Sequence, residues 1–340
     1  MPAAGAGVLA AVLVLAAVAG TGARGGDAAP YGPFGPQGPR MREQLWIVPS
    51  ADPAAPLRAT VFRPSDGQDG GAPKRRPLVV INHGTSEQTR YSTAMPVFYW
   101  LSRWFVERGF VVLLPQRRGH GATGGTLIEA VGDCGSPDHH ASGLLAAADI
   151  EAAVGFMAEQ EFIARDDIVV AGISTGGWAS LALSSRNPRG VRAVVNFAGG
   201  RGAHAYGRRN AVCGEDNLVE AAGRFGKTAR TPALWLYSEN DSYFGPGLAR
   251  RMHAAWTEAG GKGDIAILPP LGAEGHGLVD DQSGWRLWGT TLEGFLARNA
   301  APKPRIEEAK AGDTPSAGFL SSALKWVGRP DTASTGAAAR

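Results

Sequence analysis

Ile168-Val169-Val170-Ala171-Gly172-Ile173-Ser174-Thr175-Gly176-Gly177-Trp178 is the stretch on which the reading of this 340-residue chain turns. Ile168 to Ala171 is a short apolar run without polar alternation, the pattern of a strand buried on both faces of a sheet. A helical pattern opens near Trp178 and continues to Arg186. In a chain with 48 glycines the Gly-x-Ser-x-Gly spacing is unremarkable by itself; its place between strand and helix gives it meaning. A serine on a tight strand-to-helix turn needs neighbours without side chains, because the two elements approach closely there. Such a turn aims the hydroxyl out of the sheet, over a helix amino terminus that favours developing negative charge. Ser174 is the candidate nucleophile.

Outward from this turn, apolar runs alternate with helical patterns. Leu45–Val48 and Leu57–Phe62 read as early strands paired antiparallel. Leu78–Asn82, Phe110–Leu114, Val191–Phe197, Ala233–Tyr237 and Ile265–Leu268 read as fully buried strands. Pro96–Arg108, Leu144–Gln160, Gly247–Ala259 and Trp285–Asn299 suit helices. The alternation predicts a doubly wound α/β domain over residues 41–300, with its chemistry on loops at the carboxyl ends of the strands.

A serine hydroxyl needs a base to take its proton. His276, in the loop Gly272-Ala273-Glu274-Gly275-His276-Gly277 after the last strand, is the candidate. His139, His140, His204 and His253 have no comparable setting. The base needs a buried acceptor to orient it. Asp241, just past Ala233–Tyr237, is the leading choice and Glu239 the near alternative. For the oxyanion, the backbone N–H of Thr175 is one expected donor. The N–H of Thr85, in Asn82-His83-Gly84-Thr85-Ser86, is the other, with His83 organising that loop.

Two motifs are set aside. Gly119-His120-Gly121-Ala122-Thr123-Gly124 matches a dinucleotide fingerprint, but four residues separate it from the preceding strand and no helix opens at its end. Asp138-His139-His140 matches no standard zinc spacing, so neither metal nor cofactor is expected. Arg117 and Arg118 are expected to pair within the fold. Cys134 and Cys213 fall on loops at the same edge of the sheet and are expected to form a disulfide joining them.

Taken together, His83-Gly84-Thr85, Arg118-Gly119-His120-Gly121, Gly172-Ile173-Ser174-Thr175-Gly176, Asn240-Asp241 and Gly275-His276 resemble the α/β-hydrolase superfamily. The pattern is most similar to its dienelactone-hydrolase-like and prolyl-oligopeptidase-like branches, over roughly Gln44 to Ala297. The resemblance implies a mostly parallel, twisted eight-stranded sheet with helices on both faces. It also implies a serine hydrolase using Ser174, Asp241 and His276, in the Ser…Asp…His order of that fold. Dienelactone hydrolases use a cysteine where this chain has Ser174, so dienelactone is not the expected substrate; a small carboxylic ester is. A peptide or amide is the alternative, and a non-catalytic binding protein of the same fold a further one.

With 44% hydrophobic residues the chain can bury a large core, which excludes a disordered or disulfide-only architecture. Its net charge of +3 comes from scattered residues and gives nucleic-acid binding little support. Val8–Val18 has the length and apolarity of an export signal, read as residues 1–23, although no Lys or Arg precedes it. The expected location is periplasmic or secreted, with an N-terminal membrane anchor as the alternative. No later stretch approaches 18 consecutive apolar residues, so no span is expected in the mature protein. Residues 24–40 read as a Gly/Pro-rich linker and 301–340 as a flexible tail containing one apolar segment, Phe319–Val327.

Overall fold

The strand Ile163–Ile173, which contains the run Ile168–Ala171, lies near the middle of a nine-stranded sheet in a computed structural model that describes residues 31–65, 75–85 and 89–299. The expected signal, the first part of the linker (residues 24–30) and the tail with Phe319–Val327 lie outside the described residues. The strands are β1 (Gly32–Phe34), β2 (Gln44–Val48), β3 (Leu57–Phe62), β4 (Arg76–Asn82), β5 (Val111–Gln116), β6 (Ile163–Ile173), β7 (Val191–Phe197), β8 (Ala233–Ser238) and β9 (Gly263–Leu268). The helices are α1 (Tyr99–Glu107), α2 (His139–Ala158), α3 (Thr175–Ser184), α4 (Glu215–Thr228), α5 (Pro246–Glu258) and α6 (Gln282–Asn299).

The spatial order is β1-β2-β3-β5-β4-β6-β7-β8-β9. The pairs β1/β2, β2/β3 and β3/β5 are antiparallel, and every later pair is parallel. The ninth strand corrects the eight expected. Gly32 to Phe34, read from sequence as linker, pair with Leu45–Ile47 at the sheet edge. Three residues rich in Gly and Pro carry no periodic signal, so only the pairing partner reveals this strand.

Side chains alternate between two cores, one on each face. Along β4, Leu78 and Val80 join Ile150, Trp178, Phe225 and Trp256 from α2, α3, α4 and α5. Val79 and Ile81 join Trp104 and Phe105 of α1 and Trp288 and Phe295 of α6. Burial on both faces explains why these strands read as unbroken apolar runs. Helix α4 falls where the sequence suggested only a connection. Its apolar stripe, Leu218, Ala221, Ala222 and Phe225, is interrupted by Gly223 and Gly226. Gly226 is needed because a Cβ there would strike the backbone of Trp256 on α5. Helix α2 is apolar enough by composition to cross a bilayer, but half of the stretch concerned is buried in the domain.

This topology positions the site. The loop after β4 runs toward α1 on one face, whereas β6 turns directly into α3 on the other. Adjacent strands whose loops part in this way leave a crevice at their carboxyl ends. The loops carrying Asp241 and His276 follow β8 and β9 at the same edge.

Candidate active site

Ser174 joins β6 to α3 with φ 56° and ψ −125°, a conformation that L-residues rarely hold. Its N–H donates to the Phe197 carbonyl at 3.0 Å, and its own carbonyl accepts from Trp178 N at 3.0 Å and Gly200 N at 3.2 Å. The flanking glycines are sterically required. A Cβ at Gly172 would strike the Gly176 carbonyl, one at Gly176 the carbonyls of Asn82 and His83, and one at Gly177 the Asn196 side chain. Serine at a helix N-cap normally uses its oxygen to accept a backbone N–H. Ser174 makes no such bond, which leaves the hydroxyl uncommitted to the helix.

Asp241 and His276 are brought together. Asp241 is buried, and its Oδ1 accepts the N–H groups of Tyr243 at 2.7 Å and Phe244 at 3.0 Å. Its Oδ2 accepts from His276 Nδ1 at 3.1 Å. Burial favours a neutral Asp241, but the His276 charge and these hydrogen bonds prevail and hold its pKa below the usual carboxylate value. For His276, burial opposes the proton, yet Asp241, with Glu274 and Asp280 nearby, raises its pKa above the ordinary histidine value. The remaining ring nitrogen, Nε2, is buried and has no hydrogen-bond partner. No hydrogen bond yet joins it to the Ser174 hydroxyl; such bonds often tighten only once substrate is bound. Glu239, the alternative acid, is exposed.

The loop bearing His276 is fastened from several directions. Asn240 Oδ1 accepts from Ser238 Oγ at 2.8 Å and Leu271 N at 2.9 Å, tying the loop after β9 to the loop after β8. Gly275 packs so closely there that a Cβ would meet Asn240 Oδ1 and the Ser238 side chain. Glu274 accepts from the backbone N–H groups of His276 and Ser242, each at 3.1 Å, and pairs with Arg209. Tyr243 stacks on the His276 ring with centroids 4.0 Å apart and planes 14° from parallel. His204, set aside in the sequence reading, stacks in turn on Tyr243 at 3.8 Å. Burial pushes the nearby Asp280 carboxyl up to about 6.

On the opposite side, His83 is buried and neutral. Its Nε2 accepts the Arg117 N–H at 3.0 Å, which puts the ring proton on Nδ1, facing the Gly84 carbonyl at 2.6 Å. Burial, then the charge of Arg117, keeps its pKa well below the ordinary value. Both arginines pair inside the fold: Arg117 with Glu129, and Arg118 with Asp149 and Asp52. Gly119 and Gly124 close a tight loop, with Gly119 N donating to the Gly124 carbonyl at 2.7 Å, so this motif is a turn and not a helix-opening fingerprint. The residues of the set-aside metal motif have structural partners. Asp138 caps α2 through Ala141 N, His139 Nε2 lies 2.8 Å from the Cys213 carbonyl, and His140 stacks on Phe225. Cys134 and Cys213 are disulfide-bonded.

The family described as serine aminopeptidase, S33, matches residues 73–225. That span holds the elbow and the loop after β4, set in the sheet described above. The chain has the α/β-hydrolase fold. The family matched over residues 73–225 is one of serine hydrolases. Among solved structures it is similar to a Mycobacterium tuberculosis puromycin-hydrolyzing peptidase, with TM-score 0.58 and 18% identity over 80% of this chain and 41% of that one. It is also similar to an acylaminoacyl peptidase (TM-score 0.52, 16% identity, 83% of this chain and 44% of that one). A third is Porphyromonas gingivalis dipeptidyl peptidase 4 (TM-score 0.50, 16% identity, 67% and 32%). These likenesses are of fold, and the chain spans less than half the length of each. No curated protein matches the sequence significantly.

The sequence reading missed Glu129, Tyr243 and Glu274 as neighbours of the candidate groups. Glu129 lies in a loop with no motif around it. Tyr243 sits two residues beyond Asp241 and Glu274 two before His276, so proximity to the candidate acid and base was the available signal.

Proposed function

We propose that this hydrolase cleaves small carboxylic esters through an acyl-enzyme on Ser174. The observation that carries the reading is His276. Its Nδ1 is held by buried Asp241 while its buried Nε2 has no partner, on the side of the strands' carboxyl ends where Ser174 stands in a strained turn. In the reaction, Nε2 takes the Ser174 proton as Oγ bonds to the ester carbonyl carbon, and the C=O pair moves onto oxygen. The N–H groups of Thr85 and Thr175 receive that oxyanion. As the tetrahedral adduct collapses, the C–O bond to the alcohol breaks and His276 passes its proton to the leaving oxygen. A water, deprotonated by the same nitrogen, then releases the acid and restores Ser174.

The family description and the peptidases of similar fold favour a second reading, exopeptidase or amidase action on the same groups. Recognising a peptide α-ammonium calls for an available carboxylate; Glu129 and Glu274 are both already bound to arginines, and burial disfavours the charged form of Asp280; this supports the ester. The disulfide, together with the apolar Val8–Val18 segment, supports an oxidising compartment and hence export.

A fluorophosphonate should modify Ser174 in the native protein, and Ser174→Ala should lower ester turnover by roughly 10⁴-fold or more. A native protein that is not labelled, or an alanine variant as active as wild type, defeats the proposal. Faster turnover of aminoacyl p-nitroanilides than of p-nitrophenyl esters would move the assignment to the peptidase reading.

A further inference from the structure

The two residues assigned as oxyanion donors are linked through their side chains. Thr175 Oγ1 donates to Thr85 Oγ1 at 3.0 Å, and Thr85 Oγ1 donates to Glu129 Oε1, also at 3.0 Å. Glu129 is only 1% exposed, and a fork of bonds from equally buried Arg117 holds it: Nε to Oε2 and Nη2 to Oε1, each 3.1 Å. The same guanidinium reaches back to both hydroxyls of the relay. Its Nη2 lies 3.4 Å from Thr175 Oγ1 and 3.5 Å from Thr85 Oγ1, and its Nη1 donates to the His83 carbonyl at 2.5 Å. His120 Nε2 completes the surroundings of the Thr85 hydroxyl at 3.0 Å.

These contacts solve a particular problem. Thr175 is fixed by α3, but residues 83–85 belong to neither strand nor helix. An oxyanion hole works only if both donors already stand where the charge will appear, since reorientation during the reaction would cancel much of the gain. Burying a carboxylate is expensive unless it is paired and hydrogen-bonded. Glu129 is both, and the one neutral hydroxyl it binds belongs to the loop that lacks secondary structure.

We infer that Glu129, through the Thr85 and Thr175 hydroxyls, is a positioning residue that sets the spacing between the two backbone oxyanion donors. The inference rests on the acyl-transfer reading above. The relay touches no substrate, so its loss acts on the transition state and leaves ground-state binding almost unchanged.

Thr85→Val is the decisive variant, because it removes the hydroxyl while keeping side-chain shape and leaving the Arg117–Glu129 pair whole. Turnover of a p-nitrophenyl ester is measured for wild type, Thr85→Val, Thr85→Ser and Glu129→Gln, together with inhibition by a trifluoromethyl ketone whose serine adduct carries an oxyanion. For Thr85→Val we expect kcat to fall about 100-fold, the scale of one lost oxyanion donor. KM should stay within roughly threefold, as for a contact expressed only in the transition state. Affinity for the ketone should fall in step with kcat/KM, and Thr85→Ser should recover most of the loss. Folded Glu129→Gln should follow Thr85→Val in its kcat loss; because that change can also cost stability, Thr85→Val remains the deciding measurement. Wild-type kcat in Thr85→Val, or a loss confined to KM with the ketone still tightly bound, overturns the inference while leaving the acyl-enzyme reading intact. Failure of fluorophosphonate to label Ser174 in the wild type overturns both.

Discussion

The elbow and the loops flanking it place reactive groups by opposite means. At the elbow, position is set by atoms that are absent: Gly172, Gly176 and Gly177 let β6, α3 and the loop after β4 close to backbone contact around Ser174. On the flanks, position is set by polar groups drawn from far along the chain. Thr85 is bound by Glu129 across 44 residues, and His276 by Asp241 across 35. Steric placement is part of folding itself, so a change there is expected to register first in stability. Polar placement is finished after the fold has formed, and a change there registers first in turnover.

The largest effect expected from this contrast belongs to the polar side. In Asp241→Asn, Oδ1 can still accept the Tyr243 and Phe244 N–H groups, so the turn after β8 survives. What is lost is the charge that fixes the His276 tautomer. Turnover should fall by about 10⁴-fold, as for the loss of a triad carboxylate, with the thermal midpoint nearly unchanged. Steady-state kinetics beside a melting curve decides the matter. A large drop in the midpoint would show that Asp241 serves folding as much as chemistry, and the contrast would blur.

On the steric side, Gly176→Ala adds one methyl group facing the Asn82 and His83 carbonyls, which are backbone and cannot swing aside. Overpacking of this kind costs about 1–3 kcal/mol or more, and here it also displaces the loop that carries Thr85. We expect a lower denaturation midpoint and poor recovery of folded protein. An alanine variant with wild-type stability would mean that the elbow is looser than its contacts imply.

The same contrast governs what could be read from sequence. Glycines around a serine, between an apolar run and a helical pattern, are a local signature, and the elbow emerged from eleven consecutive residues. Asp241 and His276 were legible because each follows a recognisable strand. Glu129 was not, since its partner Arg117 is identified only when the loop after β5 folds back beneath the loop after β4. His204 was dismissed for want of local context, yet its stack on Tyr243 depends on a connection whose path no periodicity describes. Helix α4 escaped because the glycines that let it approach α5 also weaken its helical pattern. Contacts made by omission leave local traces; contacts made by long-range pairing do not.

The smallest expected effect is in pH dependence, and it sharpens the account of the polar flank. From sequence alone, activity would fall as His276 protonates near the ordinary value of about 6.5. Burial opposes that proton, but Asp241, Glu274 and Asp280 together raise the His276 pKa. Only the neutral ring can accept the Ser174 proton, so kcat/KM should rise with pH through an inflection above 6.5 and then level off. Stability linked to this residue runs the other way. Because its pKa is higher folded than unfolded, the His276 contribution is complete below about 6.5 and is lost as pH climbs through the folded value. Asp241, whose folded pKa is lowered, contributes above the unfolded carboxylate value of about 3.9 and loses that contribution as pH falls through its folded value. Removing its charge in Asp241→Asn should move the residual activity inflection down from that of the wild type, in a pH–rate profile measured at constant ionic strength. An unmoved inflection would assign the raised pKa to Glu274 and Asp280 instead, and would make the loop after β9 the main holder of the base.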